Sequence, residues 1–189
     1  KLMSNNNFSH NDMGAAMSLV WGQGTDLNFV ELGVFDGRSS TGILQSIGSR
    51  IKTFHAVDPW VPYVDEISTK GRGDEDNVFE MNEFDMELHE IIARHVYTQF
   101  DNVEIHKETA LEFLSKQEDE SLDVVFHDSH ITIEQQSEEF DAILPKLKTG
   151  GLYVVHDVDI DEVADICVEK EGQLGKEGFF WQDCWMYIK

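Results

Sequence analysis

Four short stretches gather the side chains that could do chemistry. Glu31 precedes Gly33 and Gly37, Asp58 precedes Pro59-Trp60, His127 opens His127-Asp128-Ser129-His130, and His156 adjoins Asp157. Each stretch follows a run of apolar residues, which places these groups at the ends of buried strands. Carboxylates there can accept from sugar hydroxyls or hold a hard cation. Imidazoles that titrate near neutrality can take a proton from a hydroxyl. Gly33 and Gly37 permit positive φ and let a ligand come close to the backbone. A hydrogen-bonded structural role is the plainer alternative for each histidine.

The elements that must position these groups follow from periodicity. Phe29, Val30 and Leu32 read as a buried strand that enters the glycine loop, and Ser39 or Ser40 can cap the helix beyond it. That helix is expected over residues 41–49, with Ile43, Leu44 and Ile47 inward. Residues 51–57 alternate as a second strand that ends at Asp58. Asp58 lies about twenty residues beyond the loop, the spacing of an acid that receives an adenosine ribose. Trp60 beside it could lie against a flat ring.

A third strand, Val103 to His106, leads to Glu108 and Thr109. An acceptor there would meet the same crevice and could take an adenine amino group, although Glu108 also suits a helix N-terminus. Residues 122–126 and 152–155 are the fourth and fifth strands. A helix capped by Thr132 lies between them, with Phe140, Ile143, Leu144 and Leu147 as its buried stripe. A last helix is expected over 160–171, and residues 179–188 read as terminal strand material. The strand–helix alternation predicts an α/β, doubly wound, mostly parallel sheet.

Three segments are expected to lie outside this frame. Asn11 or Asp12 can cap a first helix through Met13, Ala16, Met17, Val20 and Trp21, within an N-terminal extension over residues 1–27. Lys1-Leu2 ahead of Met3 read as a cloning remnant. Residues 61–100 read as a lid-like insertion shaping an acceptor pocket, with a helix over 83–99 whose apolar stripe is Phe84, Leu88, Ile91, Ile92 and Val96.

The chain has 189 residues, 41% of them hydrophobic and 27% charged, which suits one domain over 1–189 with a real core. Its 14 Lys+Arg against 37 Asp+Glu give a net charge of −23, which repels nucleic-acid phosphates and anionic membranes. Apolar runs are too short to span a bilayer, and no signal-peptide pattern opens the chain. Cys167 and Cys184 form no disulfide framework, so a cytoplasmic setting is expected. A homo-oligomer is possible through the aromatics near residues 179–185.

These residues resemble the class I S-adenosylmethionine-dependent methyltransferases. The segment from Glu31 to Gly37 is similar to their first motif, Asp58 to their ribose-binding acid, and the region from Leu122 to Asp157 to their catalytic face. Asp58-Pro59-Trp60, with Gly150-Gly151 ahead of His156-Asp157, resembles a small-molecule branch. That branch includes sugar O-methyltransferases and cephalosporin-hydroxylase-like proteins. The resemblance implies a Rossmann-like sheet of seven strands with the last one antiparallel.

It also implies S-adenosyl-L-methionine as cofactor, held by Glu31, Gly33, Phe35, Gly37, Ser39, Asp58, Trp60, Glu108, Thr109 and Asp128. The catalytic candidates are His130, His156 and Asp157, acting on a small-molecule hydroxyl. Many relatives hold a divalent metal at this face, and Asp128 with Asp157 could bind Mg²⁺. The branch's usual fourth-strand pattern is Asp-Gly-x-His-x-Tyr. Either Asp128 takes the acid's place, or His127 does and Asp128 replaces the glycine.

Two other functions compete. A nicotinamide-dependent oxidoreductase shares the loop and the ribose acid, but here the loop lacks a third glycine and Asp36 would repel a pyrophosphate. A non-catalytic domain that keeps the fold and the ligand is the other.

Overall fold

A computed structural model describes residues 24–65, 79–129 and 131–189. The expected first helix, the middle of the insertion and His130 therefore lie outside the described residues.

A seven-stranded sheet carries the site. Its strands are β1 (Leu27–Leu32), β2 (Ile51–Val57), β5 (Val103–His106), β6 (Leu122–His127), β7 (Leu147–Val155), β8 (Phe179–Trp181) and β9 (Cys184–Ile188). They lie in the order β5-β2-β1-β6-β7-β9-β8. The pairs β5–β2, β2–β1, β1–β6 and β6–β7 are parallel. The last strand, β9, is antiparallel to β7 and β8. The Rossmann-like α/β fold read from the sequence is the one observed.

Both faces are covered, which is why the central strands are mostly apolar. Helices α1 (Arg38–Ile47) and α2 (Glu83–Tyr97) contribute Ile43, Leu44, Met86 and Ala93 to one core with Phe29, Phe54, Phe126 and Val154. The Phe29 and Phe54 rings stack across β1 and β2 at 5.0 Å. Helices α3 (Ala110–Ser115), α4 (Ile133–Lys146) and α5 (Asp161–Leu174) contribute Phe113, Phe140 and Val163 to the other core with Val30, Tyr153 and Trp185.

The order reverses at β1: β2 and β5 lie on one side, β6 and β7 on the other. A crevice opens at the carboxyl ends of the strands at such a switch point. The tips of β1, β2, β6 and β7 carry Glu31, Asp58, Asp128 and His156-Asp157 to that one end.

Several local expectations change. Helix α1 starts at Arg38 with Gly37, which has no side chain to offer, at its N-cap; Ser39 and Ser40 lie inside the helix, and the Ser40 hydroxyl donates to Glu31. Within the insertion, β3 (Tyr63–Asp65) and β4 (Phe79–Met81) form a small antiparallel hairpin, too short to show a period. Most of the apolar stripe of α2 faces outward, with Phe84 71% and Ile91 64% exposed, and of its five residues only Val96 packs against the core. Met86, Ala93 and Tyr97 are buried in its place. Two contacts select that face. A Cβ on Gly37 would lie 3.5 Å from the Ala93 Cα, so the loop and helix are in close approach, and the Tyr97 hydroxyl lies 2.5 Å from Ser40 Oγ.

Candidate functional site

A cavity of about 700 Å³ opens at the strand tips. Gly33, Phe35, Ser39, Asp58, Thr109, Asp128, His156 and Asp157, all expected at a site, line it. Glu31, Gly37, Trp60 and Glu108 lie outside the lining.

The β1 loop is built on close backbone approach. Gly33 has φ 86, and a Cβ there would overlap the Asp128 backbone carbonyl. Its amide donates to the Val57 carbonyl at 2.9 Å, and the Asp128 amide donates to the Leu32 carbonyl at 2.8 Å. The loop is thus fixed to both neighbouring strands.

Asp58 closes the loop from β2. Its Oδ2 accepts from the amides of Val34 at 3.0 Å and Phe35 at 2.9 Å, and its Oδ1 accepts from the Trp60 amide at 2.7 Å. A carboxylate offers about four lone-pair sites, so one acceptor position remains on Oδ1. Burial pushes the Asp58 carboxyl up from its ordinary range, against the pull of the three amides. Phe35 and Trp60 adopt φ 54 and 44, conformations that bulky residues avoid and that cluster at functional sites. The Trp60 indole is buried and donates to the Phe35 carbonyl at 2.8 Å. It supports the loop from behind. Phe35, stacked on His89 at 3.7 Å, lines the cavity where Trp60 does not.

Glu31 stands beneath the loop, fully buried. Its Oε2 accepts from Ser40, and its Oε1 has no hydrogen-bond partner. Burial holds its carboxyl well above the ordinary range, and the nearby Asp128 and Asp58 charges add to the rise. The orphaned oxygen is an acceptor waiting for a donor.

At the β6 tip, Asp128 faces the cavity and His127 does not. His127 is fully buried, with Nε2 2.8 Å from Glu139 Oε2 and Nδ1 2.7 Å from the Tyr153 hydroxyl. Of the two, Asp128 is the residue that lines the cavity. Burial works to raise the Glu139 carboxyl, yet hydrogen bonds from His127, Ser129 and Gln135 outweigh it and hold it below its usual range.

His156 sits among carboxylates. Its Nδ1 is 3.1 Å from Asp128 Oδ1 and 3.2 Å from Asp157 Oδ1, and its Nε2 is 3.4 Å from Asp183 Oδ2. Burial alone would lower this imidazole, but the three acids hold it well above its ordinary range. The three acids favour its protonated form, which suits holding charge rather than taking a proton. The Oδ1 atoms of Asp128 and Asp157 converge on that ring. Together with the ring they offer a metal ion one nitrogen and two oxygens, a set poorer in oxygen than the near-octahedral one Mg²⁺ demands.

Thr109 caps α3 by a reciprocal box with Glu112, and its neighbours Ala110 and Leu111 also line the cavity. Glu108 instead pairs with Lys116. Sequence reasoning missed Arg38, Tyr63, Met86, Gln135, Glu139 and Asp183. The first five line the cavity, and Asp183 reaches His156 from the turn between β8 and β9. The periodicity of the insertion and of α4 gives no signal for which of their polar residues face a ligand.

An acid-tipped crevice at a switch point, with a glycine loop clamped by a β2 acid, matches a known family. The family model described as "Methyltransferase domain" matches residues 30–158. The chain belongs to that family. It is an S-adenosylmethionine-dependent methyltransferase.

No curated protein matches the sequence. Solved structures resemble the methyltransferase in fold. The O-methyltransferase NovP superposes with a TM-score of 0.60 at 17% identity, over 95% of this chain and 77% of that one. A Geobacter metallireducens precorrin-6y C5,15-methyltransferase gives 0.60 at 18%, over 95% and 76%. A Staphylococcus aureus protein described as a caffeoyl-CoA O-methyltransferase gives 0.64 at 14%, over 100% and 85%. At these identities the likeness is one of fold. No helix among the described residues is long and apolar enough to cross a membrane.

Proposed function

We propose that this methyltransferase moves the methyl group of S-adenosylmethionine to a hydroxyl of a small-molecule acceptor. The observation that carries the hydroxyl reading is the His156 ring on the cavity wall, held between the carboxylates of Asp128, Asp157 and Asp183.

The donor supplies a methyl group already activated on a positively charged sulfur. The protein must hold that donor, align the acceptor and manage the acceptor's proton. The free lone pair on Asp58 Oδ1 suits a ribose hydroxyl. The orphaned Glu31 Oε1 suits an ammonium approaching through the loop, and ionising Glu31 on that approach would satisfy both. Phe35 offers a flat apolar wall, and Val61, Tyr63 and Met86 line the acceptor side from the insertion.

A hydroxyl attacks well only as it loses its proton. A fixed cation beside the oxygen favours that loss, which is the electrostatic service a metal gives elsewhere. His156 is placed for this role, in place of Mg²⁺. Asp157 is the group that receives the proton. Its backbone, at φ 58, aims the carboxylate from the β7 tip. His130, the other expected base, lies outside the described residues.

A nicotinamide cofactor gains no support from the loop. The Val34 and Phe35 amides that would meet a pyrophosphate are occupied by Asp58, and Asp36 lines the cavity. Transfer of labelled methyl from S-adenosylmethionine to panels of phenols, sugars, amines and carboxylates tests the proposal. Products methylated on oxygen of phenols or sugars are expected. Methylation confined to amines, or to no acceptor while the donor binds, would overturn it.

A further inference from the structure

A second cluster of ligating atoms lies on the outer strands of the sheet, and none of its residues lines the cavity. Thr53, His55 and Val57 alternate along β2, and Glu104 and His106 along β5; His55 pairs with Glu104 and Val57 with His106. His55, Glu104 and His106 project from one face, where both imidazoles pack against the Phe113 ring. His55 Nδ1 is 3.0 Å from His106 Nε2. Glu104 Oε2 is 3.5 Å from the first of these nitrogens and 3.9 Å from the second.

These separations have a chemical meaning. Ligand atoms around a tetrahedral zinc, at bonds of about 2.0–2.2 Å, lie about 3.3–3.5 Å from one another. The three observed separations straddle that value. An ion could enter with side-chain shifts of a few tenths of an ångström.

The surrounding hydrogen bonds already orient the ligands. Asn28 Nδ2 donates to the Ser121 carbonyl at 3.1 Å, which turns Asn28 Oδ1 toward His55 Nε2 at 2.8 Å. Oδ1 can only accept, so His55 carries its proton on Nε2 and aims the Nδ1 lone pair into the cluster. With the cluster empty, His106 Nε2–H donates to that lone pair. His106 Nδ1 lies 3.8 Å from Glu108 Oε1. Moving the ring proton to Nδ1, toward Glu108, frees Nε2 for an ion. An acceptor behind the ring, as Asn28 stands behind His55, is the usual support of a metal-binding histidine.

We propose that His55, Glu104 and His106 bind a divalent transition ion of the zinc class. Two imidazole nitrogens and one carboxylate favour zinc over Mg²⁺ or Ca²⁺. Glu104 is 60% exposed, so solvent supplies the fourth ligand. The ion would tie the edge strand β5 to β2, next to the Thr109 wall of the cavity.

The test is zinc binding by the tag-free full chain, stripped with chelator and titrated against a chromophoric zinc competitor at neutral pH. One tight equivalent is expected, and it should raise the thermal midpoint. His55→Gln with His106→Gln should abolish the tight equivalent. Glu104→Gln, at an exposed position that does not threaten folding, should weaken it by at least the roughly tenfold that losing a supporting residue costs. His156→Gln should leave it unchanged. Absence of a tight equivalent would overturn the proposal. So would wild-type affinity in Glu104→Gln, or a loss confined to His156→Gln, which would put the ion at the cavity.

Discussion

Asp58 Oδ2 lies 2.9 Å from the amide nitrogen of Phe35, so the acid at the tip of β2 holds the ligand loop of β1 in shape. One carboxylate therefore has two tasks. It satisfies loop amides that would otherwise be buried without partners, and it leaves one lone pair for a ligand.

Asp58→Ala is expected to cost about 3 kcal/mol of stability, because three amides lose their acceptor. Asp58→Asn keeps one carbonyl oxygen and should cost less, while still weakening the donor. Chemical denaturation of both variants checks this. Equal stability of Asp58→Ala and wild type would show that the loop does not depend on the clamp.

Gly33→Ala should be more damaging than any other single methyl addition in the loop. The residue has φ 86, and the added Cβ would press on the Asp128 backbone, which is not free to move within the β1–β6 pairing. A loss of about 3 kcal/mol or more is expected, with loss of donor binding. Thermal unfolding of Gly33→Ala beside Gly150→Ala is the comparison. Gly150 also has positive φ, at 81, but open space around it, so its penalty should be the smaller.

The framework of this fold was legible because its signals are local. Runs such as Val124-Val125-Phe126 fix buried strands, and Thr109 and Thr132 mark helix starts. The acids Asp58, Asp128 and Asp157 could be read because each lies within two residues of the end of an apolar run. What could not be read depends on partners far away in sequence. The Ser40–Tyr97 contact spans 57 residues, and it turns α2 so that most of its apolar stripe faces outward. Asp183 reaches His156 only because β9 folds back beside β7. Trp60 was legible as an aromatic at the site, but not as one whose indole N–H is drawn to the Phe35 carbonyl.

Glu31 and His156 each contribute stability that is lost as pH rises, in two separate windows. Glu31 has a folded pKa well above its unfolded value. The fold therefore keeps a proton that the unfolded chain has lost, and this advantage declines from about pH 4.3 upward until the folded carboxyl ionises. His156 is also raised, so its contribution is complete below about pH 6.5 and is lost as pH climbs through the folded value. Denaturation midpoints across pH should show Glu31→Gln flattening the first window and His156→Gln the second. A His156→Gln curve parallel to wild type above neutrality would contradict the imidazolium assignment.

His156→Gln should lower kcat by about 100-fold or more while the donor still binds, since the cation beside the reacting oxygen is gone. It should also cost roughly 3 kcal/mol of stability by leaving Asp128, Asp157 and Asp183 without their partner. Adding Mg²⁺ to chelator-treated wild type should leave the rate unchanged. A rate that requires Mg²⁺ would return Asp128 and Asp157 to metal binding.

Calorimetric titration of the full chain with S-adenosylmethionine, beside NAD and beside the Asp58→Asn variant, bears most directly on the site. The account predicts one equivalent of S-adenosylmethionine, no heat with NAD, and an affinity at least about tenfold weaker in Asp58→Asn, as the loss of a hydrogen bond to a charged group implies. Binding of NAD in place of the sulfonium donor, or an Asp58→Asn affinity equal to wild type, would contradict it.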